Sequence, residues 1–185
     1  PSTEDILGAI EKIPAKNIYI LPNNGNIILA AEQAKDLTKD KAVHVIPTKN
    51  IPQGIAAMIN FVEGFTPEQN EEAMTEALFE VKSGQVTYAV RDTVIDGKEI
   101  KAGNIMGLSD KTIEVVGTDV VDTTIDLLKK MMDEESELIT IYYGEEGTKE
   151  DAEKIAKAIE KIDDEMEVEI QYGGQPIYYY FVSIE

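Results

Sequence analysis

Apolar positions along the first ninety residues alternate between two rhythms. Ile6, Leu7, Ile10 and Ile13 recur at helical spacing behind Ser2 and Thr3, hydroxyls able to cap free amides. Glu4 and Asp5 oppose the helix dipole, and Pro14 ends the run. Asn17-Ile-Tyr-Ile-Leu21 then reads as a buried strand closed by the turn Pro22-Asn-Asn-Gly25. Residues 26–37 return to helical spacing, with Ile27, Leu29, Ala30, Ala34 and Leu37 supplying the face. Ala42-Val-His-Val-Ile46 is a second strand, stopped by Pro47. Helices follow at about 50–62 and 67–81, the latter with Thr66 as cap and Pro67 in the first position, and Gln85-Val-Thr-Tyr-Ala-Val90 is a third strand. Strand and helix in alternation predict a parallel sheet with crossover helices.

Residues 93–116 change character. Asp96-Gly97 and Ser109-Asp110 punctuate short β-branched runs, as antiparallel hairpins do. Beyond Gly117 the pattern predicts a helix at about 119–132 and a strand at Leu138–Tyr143. Thr148 then caps an amphipathic helix whose inward face is Ala152, Ile155, Ala156, Ile159 and Ile162. Glu167–Tyr172 and Ile177–Ile184 are closing strands. In the latter, Tyr178 and Tyr180 are expected on one face and Tyr179 on the other, explained by packing. The expected fold class is α/β in two subdomains. Residues 1–117 form a parallel βαβ sheet ending in a hairpin, and residues 118–185 form a smaller α+β unit.

Charge sharpens this division. The 185 residues carry 36 Asp and Glu against 17 Lys and Arg, a formal net charge of -19. Residues 119–185 hold 19 acidic and 6 basic side chains, whereas residues 1–118 hold 17 and 11. Such a field repels phosphate backbones and anionic headgroups, so nucleic acid and membrane surfaces are not expected partners. Arg91 is the single arginine and cannot by itself make a phosphate-binding cluster. Cysteine is absent, which excludes disulfides and thiolate chemistry and suits a cytoplasmic location. No apolar run approaches a membrane span. Pro1 stands where a start Met is expected, which reads as a piece of a longer chain.

Candidate chemistry falls into two groups. In parallel sheets ligands gather at the carboxyl ends of strands, which places Asn23, Asn24, Thr48, Lys49 and Arg91 in the loops where an anion or lipid carboxylate would sit. The same residues also serve as turn formers and helix caps. The acidic clusters Asp133-Glu-Glu135, Glu145-Glu146 and Asp163-Asp-Glu165 are either solvated turns or parts of a groove that steers a basic partner. Glu134, Glu135, Glu145 and Glu146 are the candidate partner contacts. His44, inside an apolar strand, is expected to be a sheet residue rather than a general base. No glycine-rich phosphate loop, nucleophile elbow, metal-ligand spacing or calcium loop occurs, so no catalytic residue, metal or cofactor is assigned to the chain.

Three separated segments nevertheless carry a resemblance. Val45-Ile-Pro-Thr-Lys-Asn-Ile-Pro-Gln-Gly54, Gly84-Gln-Val-Thr-Tyr-Ala-Val-Arg-Asp92 and Tyr172-Gly-Gly-Gln-Pro-Ile-Tyr-Tyr-Tyr180, in that order, resemble the C-terminal region of the bacterial fatty acid kinase catalytic subunit. That family (FakA or YloV) is dihydroxyacetone-kinase-like. The resemblance implies a DegV-like fold of two subdomains. It implies that ATP and magnesium bind an N-terminal kinase domain, and that catalytic Cys and His residues lie in a central domain. The C-terminal domain is implied to be non-catalytic, docking a DegV-like fatty-acid-binding partner with a basic surface through an acidic groove. The full protein would convert the bound fatty acid to acyl-phosphate. A lipid-carboxylate-binding module of the same fold is the alternative.

Overall fold

The Ser2 hydroxyl accepts the Asp5 N–H while the Asp5 carboxylate accepts the Ser2 N–H, and this reciprocal box starts α1 (Thr3–Lys12) in the computed structural model. The structure describes every residue except Asp96, Asp110 and Lys111, and the side chain of Lys98. The turn expectations at Asp96 and Asp110 lie outside the described residues. The chain divides into two units, Pro1–Val81 and Lys82–Glu185.

In the first unit β1 (Asn17–Ile20) and β2 (Ala42–Val45) pair in parallel, Asn17 opposite Ala42 through Ile20 opposite Val45, and α2 (Ile28–Leu37) is the crossover. Alternate residues serve opposite faces. Ile18, Val43 and Val45 pack with Ile6 and Ile10 of α1 and with Ala31 and Ala34 of α2. On the other face Tyr19, Leu21 and Ile46 meet Ala57 of α3 (Ile51–Ile59), Met74 of α4 (Pro67–Glu76) and Leu78 of the 3-10 turn Ala77–Phe79. Asn50 caps α3, its side chain accepting the Gln53 N–H, and Thr66 caps α4 in a second reciprocal box. The expected α2 face is corrected in detail. Leu29 and Leu37 are 69% and 61% exposed, and the helix turns its alanines inward.

The third predicted strand does not join this pair. It forms β3 (Lys82–Tyr88) in the second unit, in a six-stranded sheet of order β7-β6-β3-β10-β8-β9. The other members are β6 (Ile105–Ser109), β7 (Thr112–Gly117), β8 (Leu138–Tyr143), β9 (Glu167–Tyr172) and β10 (Tyr180–Ile184). A separate hairpin joins β4 (Thr93–Ile95) to β5 (Lys98–Ile100). The parallel βαβ sheet of the first unit therefore has two strands. The division expected after residue 117 falls inside the second unit, because β3, β6 and β7 are hydrogen-bonded into the same sheet as β8 to β10. The second unit is the larger one.

Its core lies where α5 (Val120–Met131) and α6 (Lys149–Ile159) cover one face of the sheet. Leu127, Leu128, Ile155 and Ile159 pack there with Val86, Ile139, Ile141, Tyr180, Val182 and Ile184. Burying each large aliphatic side chain contributes about 1.5–3 kcal/mol. Asp119 caps α5, and Thr148 caps α6 by accepting the Asp151 N–H at 3.1 Å. β8 and β9 run parallel, joined through α6, and β10 is antiparallel to both β3 and β8. The carboxyl ends of β3, β8 and β9 and the start of β10 thus share one end of the sheet.

Candidate functional site

Asn23 takes a left-handed backbone (φ 53°), a conformation that asparagine tolerates, and so ends the β1 loop tightly. Its N–H donates to the hydroxyl of Thr48 at 2.9 Å, tying the β1 loop to the β2 loop. Thr48 is fully buried. Asn24 is exposed, and its side-chain oxygen accepts the Asn26 N–H. Lys49 is exposed, with its backbone N–H donating to Gln53 Oε1. Of the five residues expected to form a polar ligand end, Asn23 and Thr48 are in contact. Asn24 and Lys49 flank them as turn and cap residues, and Arg91 belongs to the second unit.

Beside Asn23 lies an open groove of ≈ 430 Å³ lined by Leu21, Gly54, Ile51, Ile55, Met58 and Ile59. Its wall is almost wholly apolar, and Met58 and Ile59 are 59% and 75% exposed. The Oδ1 of Asn23 is buried without a hydrogen-bond partner, close against Gly54. Sequence reasoning placed a helix here without marking its outer apolar face. The signal is visible in retrospect, because Lys49 is the single Lys, Arg, Asp or Glu between Lys41 and Glu63. His44 lies on the other-face side of β2, stacked on Tyr19 with ring centroids 4.9 Å apart. Its Nδ1 sits 2.7 Å from Glu71 Oε2, and its Nε2 is buried without a partner.

The acidic candidates separate. Glu134 and Glu135 lie in the loop entering β8, where Asp133 pairs with Lys82 and accepts the Ser136 hydroxyl at 3.0 Å. The Lys82 ammonium, foremost, holds the Asp133 carboxyl below its usual range. Asp163, Asp164 and Glu165 enter β9 at this same end. Glu145 and Glu146 leave the opposite end of β8, across a six-residue strand that spans about 20 Å. The four candidate glutamates therefore form two poles rather than one cluster.

At the Glu145–Glu146 end the chain is knotted closely. Gly144 N–H donates to Tyr179 O at 2.9 Å, Glu145 N–H to Gln175 O at 3.0 Å, and the Gln175 side-chain amide to Tyr142 O at 2.8 Å. A Cβ on Gly144 would stand 2.3 Å from Tyr178 O, and one on Gly147 would stand 2.5 Å from Tyr179 O, so both positions require glycine. The closing strand starts at Tyr180 instead of Ile177, because Ile177 is left-handed (φ 75°). For a β-branched residue that conformation costs on the order of 1–3 kcal/mol. The expected pairing of Tyr178 with Tyr180 on one face is corrected accordingly. Tyr180 is fully buried in the core, whereas Tyr178 precedes the strand and packs on Phe181, which points to the opposite face. Tyr179 meets Tyr88 edge-on, and Tyr143 meets Tyr172. Burial first, then the Glu146 carboxylate, pushes the Tyr179 phenol up. Among the described residues no group of three or more His, Cys, Asp or Glu side chains is arranged to hold a metal ion. None of the described helices is long and apolar enough to cross a membrane.

Comparison with known proteins places this geometry. The family of FakA-like C-terminal domains of fatty acid kinase matches residues 1–185. Protein YloV of Bacillus subtilis is 45% identical over the whole chain, which covers 33% of that protein. An uncharacterized protein of Staphylococcus aureus (strain USA300) is also 45% identical, with 34% of its length covered. The chain thus spans about a third of the length of these relatives. Among solved structures, the Streptococcus pneumoniae fatty acid kinase B3 protein loaded with linoleic acid superposes with a TM-score of 0.70 at 16% identity, covering all of this chain and 76% of that one. A DegV family protein from Corynebacterium glutamicum gives 0.67 at 12% identity, covering all of this chain and 81% of the other. At such identities these structures show a common α/β, DegV-like fold. With a family match along its full length, the chain belongs to the FakA-like C-terminal domains of the fatty acid kinase family.

Proposed function

We propose that this domain is a non-catalytic docking module that receives a DegV-like fatty-acid-binding protein. It would hold the bound fatty acid near an ATP- and magnesium-binding kinase domain elsewhere in the full protein. Docking converts a bimolecular encounter into a local one and raises effective concentration without adding chemistry. The observation that carries this reading is the charge of the second unit: within it, residues 119–185 hold 19 acidic and 6 basic side chains, spread over the loops at both ends of one sheet and over α5, α6 and β9. Such a field draws in a basic partner and speeds encounter in a salt-dependent way. The test is the affinity of the full-length kinase for the acyl-loaded fatty-acid-binding protein of the same bacterium at low and high salt. Weakening by at least about tenfold between 50 and 300 mM salt is expected. Equal affinity at both sinks the electrostatic reading.

A second reading is favoured by the groove beside Asn23. Its apolar wall and the contact between Asn23 and Thr48 suit a lipid carboxylate with its chain along α3. Native mass spectrometry of the domain mixed with oleate checks it. A stoichiometric adduct lost in Met58→Glu supports the reading, and its absence from the unmodified domain ends it.

A further inference from the structure

We infer that, of the two acidic poles of the second unit, the partner lands on the one formed by Glu145 and Glu146, where exposed Tyr172, Ile177 and Val90 make its centre. This rests on the docking reading above and deepens it by naming the surface. Val90 is 80% exposed, Tyr172 67% and Ile177 55%, and all three stand at the end where β3, β8 and β9 finish and β10 begins. At the opposite end, among the described residues of the second unit, Ile162 is the one exposed large apolar side chain beside the carboxylates of residues 133–137 and 163–165. Protein interfaces place aromatic and aliphatic anchors at the centre and charge at the rim. Among the described residues of the second unit, the Glu145–Glu146 end is where several exposed apolar side chains stand beside carboxylates.

Ile177 argues the same way. Its left-handed backbone would be relaxed in a glycine, and its side chain gains little from burial. Folding gives no reason to keep isoleucine there. The surroundings meanwhile hold it rigidly: Thr87 Oγ1 donates to Ile177 O at 3.0 Å, Tyr179 N–H donates to Val86 O at 2.9 Å, and Gly144 packs under Tyr178. A rigid apolar anchor loses little freedom on binding. The charged groups at this end include Glu145 and Glu146, Asp119 and Asp122 at the start of α5, Lys149, Glu150 and Asp151 at the start of α6, and Arg91 and Asp92 beyond β3. Asp92 Oδ1 already accepts the Ala102 N–H. The chemistry that fits is a protein surface with an apolar pocket ringed by Lys and Arg. Anionic lipid or nucleic acid would meet two glutamates.

The experiment measures binding of the full-length kinase to the acyl-loaded DegV-like fatty-acid-binding protein of the same bacterium, by calorimetry at two salt concentrations, with melting temperatures recorded in parallel. Ile177→Gly is expected to weaken binding at least about tenfold while its melting temperature holds or rises. Glu145→Lys with Glu146→Lys is expected to weaken binding similarly and flatten the salt dependence, whereas Glu134→Lys with Glu135→Lys stays within about twofold. If Ile177→Gly and the Glu145/Glu146 pair bind as the unmodified protein does, or the Glu134/Glu135 pair alone abolishes binding, the surface is overturned and docking stands. No binding by the unmodified kinase overturns docking and the surface together.

Discussion

Ala31 and Ala34 close the core of the first unit against two short parallel strands, whereas Leu127, Leu128, Ile155 and Ile159 close that of the second against six. The outer surfaces reverse this order. The first unit leaves Leu29, Ile59 and Phe79 at 69%, 75% and 86% exposure, while the second turns most of its large aliphatic residues inward and covers its exterior with carboxylates. The second unit commits its hydrophobicity to a core, and the first leaves much of it available to meet something else. Stability should therefore reside in the second unit, and apolar recognition surfaces are more extensive on the first.

This contrast breaks most readily under core truncation. Leu127→Ala, at a fully buried position, should cost about 3–5 kcal/mol, and Met74→Ala in the first unit about 2–3 kcal/mol because fewer large neighbours surround it. Urea unfolding of each variant checks it, and equal losses would erase the difference. Close backbone packing comes next. Gly144→Ala must displace carbonyls at 2.3–2.4 Å and should cost about 1–3 kcal/mol by thermal melting. Gly8→Ala, within α1 and with nothing near its Cβ position, should stabilise the first unit by about 0.4–1 kcal/mol in the same assay.

The smallest effect is a pH dependence. Burial, foremost, pushes the Tyr180 phenol far above its ordinary value, with the Asp151 and Asp119 carboxylates adding to it. Burial raises Tyr142 and, in the first unit, Tyr19 as well. A raised folded value leaves stability intact below the unfolded value near 10, and stability falls as pH rises through the window above it. Melting temperature should thus decline from about pH 9 to about pH 11, and Tyr180→Phe should reduce the decline more than Tyr19→Phe, since Tyr180 is fully buried. Identical profiles for the two variants would place the alkaline sensitivity elsewhere.

Much of this was legible in the residues. Ser2, Asn50, Thr66 and Thr148 mark helix starts through their own side-chain acceptors, and Ile155 and Ile159 mark a buried face through spacing alone. The site was less legible. Glu134 and Glu145 look equivalent as acidic turns, and only the direction of β8 separates them to opposite ends. Ile177 reads as the first residue of a strand, whereas its backbone is left-handed, in a segment whose neighbouring carbonyls, of Gln175 and Tyr178, lie close against Gly144.

What the chain determined by itself is therefore local: helix caps, the period of each element, the negative balance gathered after residue 118, and the family to which the motifs belong. Tertiary structure alone decided that β3 leaves the parallel pair for a sheet built with β10, so that the boundary falls after Val81. It also decided that the four candidate glutamates stand at two poles, of which the Glu145–Glu146 pole has Val90, Tyr172 and Ile177 exposed at its end of the sheet. Periodicity and capping act within a few residues of sequence, whereas strand partnership depends on a contact between residues almost a hundred positions apart, Val86 and Tyr180, that no local pattern encodes.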